Sequence, residues 1–164
     1  MSVRVVIYED LQCPDSARFS KMLDQKLLPN YAGKVAFEHH NFPLAKHDWA
    51  RRAAIAARFM DATNPALGSD FRRYVMGHQS KITSHNFNIF IERYATDHGV
   101  DAKQAVAALG DAELIKAVQK DFEEGVARGV AHTPTLLVNG HPFVETFTYD
   151  EVAKAIDSEL ASHK

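Results

Sequence analysis

The sequence predicts an α/β fold in which a mixed four-stranded sheet carries helices on both faces and a helical block is inserted between its halves. Three observations lead there. A strand–helix–strand pattern fills residues 1–45, no strand-like run appears from 46 to 128, and two apolar runs joined by Asn139-Gly140 precede a final helix. The predicted organisation is one sheet domain made of residues 1–45 and 129–164, with a helical domain of residues 46–128 inserted into it.

Each element follows from local chemistry. "VRVVIY" (Val3 to Tyr8) is β-branched and apolar with little alternation, as expected of a strand covered on both faces. Pro14 suits a first helical position, and Phe19, Met22, Leu23 and Leu27 then repeat at helical spacing. That helix is expected to stop near Pro29, with Gly33 beyond it. "KVAFEHHNF" (Lys34 to Phe42) reads as a second strand ended by Pro43, joined to the first by a right-handed crossover. In the inserted block "WARRAAIAARFM" is an amphipathic helix and "DATNPALGS" reads as a loop marked by Pro65 and Gly68. Asp101 with Gln104 predicts a capping box, and Asp111 caps a helix carrying Leu114, Ile115, Val118 and Phe122 that closes around Gly125 to Gly129. Asn139-Gly140 between apolar runs predicts a hairpin. Thr148 with Glu151 caps the last helix, and Phe147 is placed to staple against Val152.

A chain of 164 residues supports one domain with a substantial core. Its formal net charge of −2 argues against wholesale binding to nucleic acid or to an anionic membrane, both of which need a positive excess. No apolar run approaches the roughly 18 residues that span a bilayer. "MSVRVVIYED" turns acidic where a signal peptide would stay apolar. The expected location is cytoplasmic as the chain is written, or periplasmic or secreted if a leader was removed. No metal is expected, because the histidines form no H-E-x-x-H or Cys/His ladder and adjacent His39 and His40 on a strand face opposite ways.

The single cysteine, Cys13, stands in "YEDLQCPDSARF", where the first strand hands over to the first helix. A thiol there meets unpaired backbone N–H groups and the positive end of the helix dipole. Both favour the thiolate, which is the nucleophile of disulfide exchange. Ser16, one turn on, is placed to donate its hydroxyl to the sulfur, whereas Asp15, Glu9 and Asp10 bring opposing negative charge. Reactivity further requires the sulfur to be exposed.

"YEDLQCP" at that turn, "FEHHNFPL" followed by His47, and "HTPT" opening the third strand together resemble the DsbA-like branch of the thioredoxin superfamily. The resemblance runs over nearly the whole chain, from Val3 to Leu160. It implies a thioredoxin-like fold and a thiol-disulfide oxidoreductase with Cys13 as nucleophile and Ser16 as its hydrogen-bonding neighbour. It also implies a cis Thr133–Pro134 bond beside the sulfur, with the Thr133 backbone offered to an extended peptide. Pro14, Asp15, Thr133 and Pro134 would then contact the substrate, and His132 is near enough in sequence to assist proton transfer.

The family pattern has cysteine at position 16, and this chain departs from it. A hydroxyl cannot resolve a mixed disulfide, so the implied mechanism is monothiol: disulfide exchange, isomerisation or deglutathionylation. Its partners are protein or peptide thiols and disulfides, with glutathione as a co-substrate and no bound cofactor. Two other readings stand beside it, a redox-inert thioredoxin-fold module that binds peptides and a glutathione-dependent transferase or isomerase. Trp49, Phe87, Phe90 and Tyr94 either line a groove for apolar peptides or form the core of the inserted block.

Overall fold

The computed structural model describes residues 1–163. In chain order the elements are β1 (Val3–Glu9), α1 (Pro14–Met22), a π-helical turn (Leu23–Leu27), α2 (Leu28–Tyr31), β2 (Val35–Asn41), α3 (Ala50–Thr63), α4 (Pro65–Gly77), α5 (Phe87–Asp97) and α6 (Ala102–Ala107). A 3-10 turn (Ala108–Gly110), α7 (Ala112–Ala127), β3 (Thr135–Val138), β4 (His141–Val144) and α8 (Tyr149–Ser162) complete the chain. The sheet order is β2-β1-β3-β4, with β1 parallel to β2 and antiparallel to β3, and β4 antiparallel to β3. No helix among the described residues is long and apolar enough to cross a membrane.

Inner strand β1 is mostly apolar, with exposed Arg4 near its start and buried Glu9 at its end, because helices cover both faces of its centre. Val3, Val5 and Ile7 meet Phe19 of α1, Leu27, Tyr31 and, from α8, Val152 and Ile156. Val6 and Tyr8 point the other way, onto Phe42, Val130 and Phe122 of α7. The inserted helices have their own core, in which Trp49, Phe87 and Tyr94 are buried with Met60, Phe71 and Val75. Trp49 stacks on Phe87 at 5.7 Å, so these aromatics are core and not a groove lining.

The N-caps form at the expected residues, but the return side-chain bond from Gln104 or Glu151 that a full capping box has is absent among the described residues. Asp101 accepts from the Gln104 N–H, Asp111 from the N–H groups of Glu113 and Leu114, and Thr148 from the Glu151 N–H. Asn139 and Gly140 have φ of 45° and 90°, the positive pair that a two-residue type I′ hairpin turn requires.

The first helix ends at Tyr31, near Pro29 and before Gly33 as expected, after a π-helical turn and α2. The wider turn restarts the register, so Pro29 falls in the opening turn of α2, where a missing N–H is tolerated. One boundary corrects the sequence reading: "DATNPALGS" is not a loop. Asn64 alone separates α3 from α4, its side chain accepts from the Ala66 N–H at 2.9 Å, and Pro65 takes the first helical position. Gly68 then lets α4 pass close to α3, since a Cβ there would overlap the Asp61 carboxylate that pairs with Arg72.

α7 ends at Ala127, within the Gly125 to Gly129 stretch where it was expected to close, so Gly125 lies inside the helix and Gly129 (φ 88°) just beyond it, with the Val130 N–H bonded to the Gly125 carbonyl at 2.9 Å. A Cβ on Gly125 would come within 2.8 Å of the Phe42 ring and 2.9 Å of Tyr8. Gly125→Ala is therefore expected to cost about 1–3 kcal/mol in denaturant unfolding, as overpacking does. Unchanged stability would mean that α7 does not seat tightly on the sheet.

Candidate functional site

The ends of β1 and β3 bring two distant segments together. Tyr8 pairs with Thr135, so the turn after β1 and the segment before β3 leave the sheet side by side. Cys13 caps α1 in an extended conformation, with Pro14 as the first helical residue. Its N–H bonds the Asp10 carbonyl at 3.0 Å. Its thiol donates to the Thr133 carbonyl at 3.5 Å, and the Thr133–Pro134 peptide bond is cis. The sulfur and the threonyl-proline segment are thus in direct contact.

Several details differ from the expectations. The sulfur is not freely exposed, because Cys13 retains only 6% of its accessible surface under the Thr133 loop. Thr133 and Pro134 are buried as well, so little of that segment faces solvent. Ser16 is fully buried, and its hydroxyl accepts from the Asp10 N–H at 3.3 Å, which directs the oxygen at the backbone below the turn. His132 pairs through Nδ1 with Glu145 at 2.7 Å, both groups being well exposed. Pro14 is exposed, and half-buried Asp15 is paired with Arg18, which offsets the charge expected to oppose a thiolate. Glu9 is turned into a separate cavity of about 170 Å³ that it shares with His39 and Arg72.

The residues that hold the turn carried no periodic signal in the sequence. Asp10 is buried and accepts from the Gln12 and Leu44 N–H groups at 2.7 Å each, and its Oδ2 lies 2.8 Å from His47 Nδ1. Gln12 reaches the inserted block twice, donating to Asp48 and accepting from the Trp49 N–H. From the insert, Gln79 donates to the carbonyls of Leu11 (2.8 Å) and Cys13 (3.1 Å). A groove of about 350 Å³ lined by Asp15, Arg18, Phe19, Met22, Phe147 and Glu151 opens along α1, two residues beyond Cys13 in the chain. A larger cavity of about 580 Å³, lined by Arg4, Val6 and Leu137 among others, opens near Asn139 and Gly140 and shares no residue with the thiol turn.

Alternation along β2 sends His40 to the side opposite His39. His40 Nδ1 lies 3.2 Å from Asp121 Oδ1, while Asp121 Oδ2 accepts from the Asn41 N–H and Nδ2. The hydrogen bond to Asp121 holds His40 above the ordinary imidazole range, against the effect of burial. Burial pushes Asp121 up, but the His40 and Asn41 donors outweigh it and keep its carboxyl below the usual carboxylate range.

A family model for thioredoxin matches residues 2–158. No curated protein sequence matches the chain. Among solved structures, BdbD from Bacillus subtilis in its oxidised form superposes with a TM-score of 0.86 at 22% identity, covering 98% of this chain and 88% of that one. Alpha-DsbA1 from Wolbachia pipientis gives 0.85 at 15% identity over 98% and 87% of the two chains. A thioredoxin-like oxidoreductase from Silicibacter pomeroyi DSS-3 gives 0.77 at 18% identity over 99% and 87%. At these identities the structural likeness is one of fold. With a family match spanning almost every residue and a sheet interrupted by a helical block as in the DsbA-type structures, the chain belongs to the thioredoxin family.

Proposed function

We propose that this chain is a thiol-disulfide oxidoreductase working through Cys13 alone. The observation that carries the reading is the contact between the Cys13 thiol, at the N-terminus of α1, and the Thr133 carbonyl beside cis Pro134. Cys13 thiolate attacks one sulfur of a substrate disulfide. The S–S bond breaks, and the departing sulfur leaves as a thiolate that takes a proton from solvent. An outside thiol, from glutathione or a protein, then attacks the mixed disulfide on Cys13. Cys13 is released reduced, and the substrate half leaves as a new disulfide with the attacking thiol. Deglutathionylation and isomerisation are both outcomes of this cycle.

Ser16 fits the one-thiol form, since its buried hydroxyl is engaged with Asp10 and has no means of resolving a mixed disulfide. The apolar Phe19, Met22 and Phe147 in the groove along α1 suit side chains of a peptide that extends past the disulfide. A lone cysteine suits the reducing, glutathione-rich cytoplasm, and the proposal sets the reaction there.

The 6% exposure of Cys13 favours a second reading, a redox-inert module that binds peptides. Incubating the chain with oxidised glutathione separates the two. Mass spectrometry is expected to find a mixed disulfide on Cys13 that reduced glutathione removes. Cys13→Ser is expected to abolish both the adduct and exchange with a glutathionylated peptide. Exchange surviving in Cys13→Ser, or no adduct on the native chain, rejects the enzyme; peptide binding that persists after Cys13 is alkylated then favours the module.

A further inference from the structure

On the face of the sheet covered by α7, His40, Asp121 and Glu124 converge. Asp121 and Glu124 are three residues apart on one helix and share a face. One candidate ligand atom from each of the three residues lies within 4.8 Å of the others. That spacing suits donors around a single ion. No motif or spacing in the sequence singles out Asp121 or Glu124.

A second, independent observation points to the same place. Tyr8 is fully buried, and its hydroxyl has no hydrogen-bond partner among the described residues. Its ring stacks on His40 at 5.3 Å, and the hydroxyl stands in the field of Asp121, Glu124 and Arg128. Arg128 comes near that hydroxyl without hydrogen-bonding geometry. A buried hydroxyl left unpaired is unfavourable, and a bound ion or its water would complete it.

We propose that His40, Asp121 and Glu124 bind a divalent cation of the zinc class, with the Tyr8 hydroxyl facing the ion or its bound water. One imidazole nitrogen and two carboxylates form a mixed N/O donor set. Calcium and magnesium favour all-oxygen sets and copper(I) favours sulfur, whereas zinc accepts this one. Asn41 supplies the supporting contacts, since its N–H and side-chain amide hold Asp121 Oδ2 and leave Oδ1 turned to His40. Two carboxylates against one guanidinium leave the site net negative before the ion arrives, and Arg128 is exposed. The site uses no thiol, so it stands or falls apart from the chemistry of Cys13.

The test is calorimetric titration of Zn²⁺ into the full chain above neutral pH, with Cys13 alkylated so that the thiol takes no part. One ion per chain is expected, as is a visible spectrum with Co²⁺ that Zn²⁺ displaces. Glu124→Gln lies on a partly exposed helix face, and it is expected to weaken binding at least about tenfold. His40→Gln is expected to do the same. His141, 3.6 Å from Glu159 elsewhere on the surface, is the control, and His141→Asn is expected to leave the affinity unchanged. Absence of saturable binding, wild-type affinity in Glu124→Gln or His40→Gln, or loss of binding in His141→Asn overturns the proposal.

Discussion

Replacing Asp10 by alanine is expected to destabilise the fold by about 3–5 kcal/mol, the usual consequence of removing one partner from a buried charged network. The Asp10 side chain has no exposed surface. It serves the Gln12 N–H through one oxygen, and the Leu44 N–H and His47 through the other. Alanine would strand all three groups in one step, and two of them are partly buried backbone N–H donors. Those groups lie in the turn that carries Cys13 and in the segment that leads into the inserted helices. The loosened turn should also slow exchange at Cys13, whose N–H rests on the Asp10 carbonyl. Denaturant midpoints of the two proteins measure the first effect and thiol-exchange rates the second. A loss below about 1 kcal/mol would mean that water takes over the role of the carboxylate.

Much of the fold was legible because it follows from short-range rules. The buried strand Val3–Glu9, the Asn139-Gly140 hairpin and the caps at Asp101, Asp111 and Thr148 each depend on a few adjacent residues. The Asn64-Pro65 pair misled for a physical reason. Proline punctuates a chain equally well by ending a helix or by beginning the next, and only the register of the preceding turn decides which. Cys13 and the Thr133–Pro134 segment could be named from the sequence, but their contact comes from the pairing of β1 with β3. The burial of the sulfur and the engagement of Ser16 with Asp10 depend on that same closure. The clamps were beyond reach altogether: Gln12 finds Asp48 36 residues away and Gln79 finds the Cys13 carbonyl 66 residues away, with no pattern linking them.

Ser16→Cys is expected to change the class of reaction that the site supports. Cys13 is the N-cap of α1 and Ser16 lies three residues on, so their Cα atoms fall within the roughly 4.4–6.8 Å that a disulfide spans. The native hydroxyl accepts one long hydrogen bond, at 3.3 Å from the Asp10 nitrogen, and a sulfur in its place would accept it only weakly. Against that modest loss, the variant gains a thiol able to attack a mixed disulfide on Cys13 from within the turn. Oxidised Ser16→Cys should therefore hand a disulfide to a dithiol peptide without glutathione, which the native chain has no means to do. Thiol titration before and after oxidation would count the new bond, and oxidation of a dithiol peptide would measure its transfer. The decisive case is a variant that forms the internal disulfide yet oxidises no peptide. Position 16 would then not be what limits this site, and the limit would lie in the cover that the Thr133 loop places over Cys13.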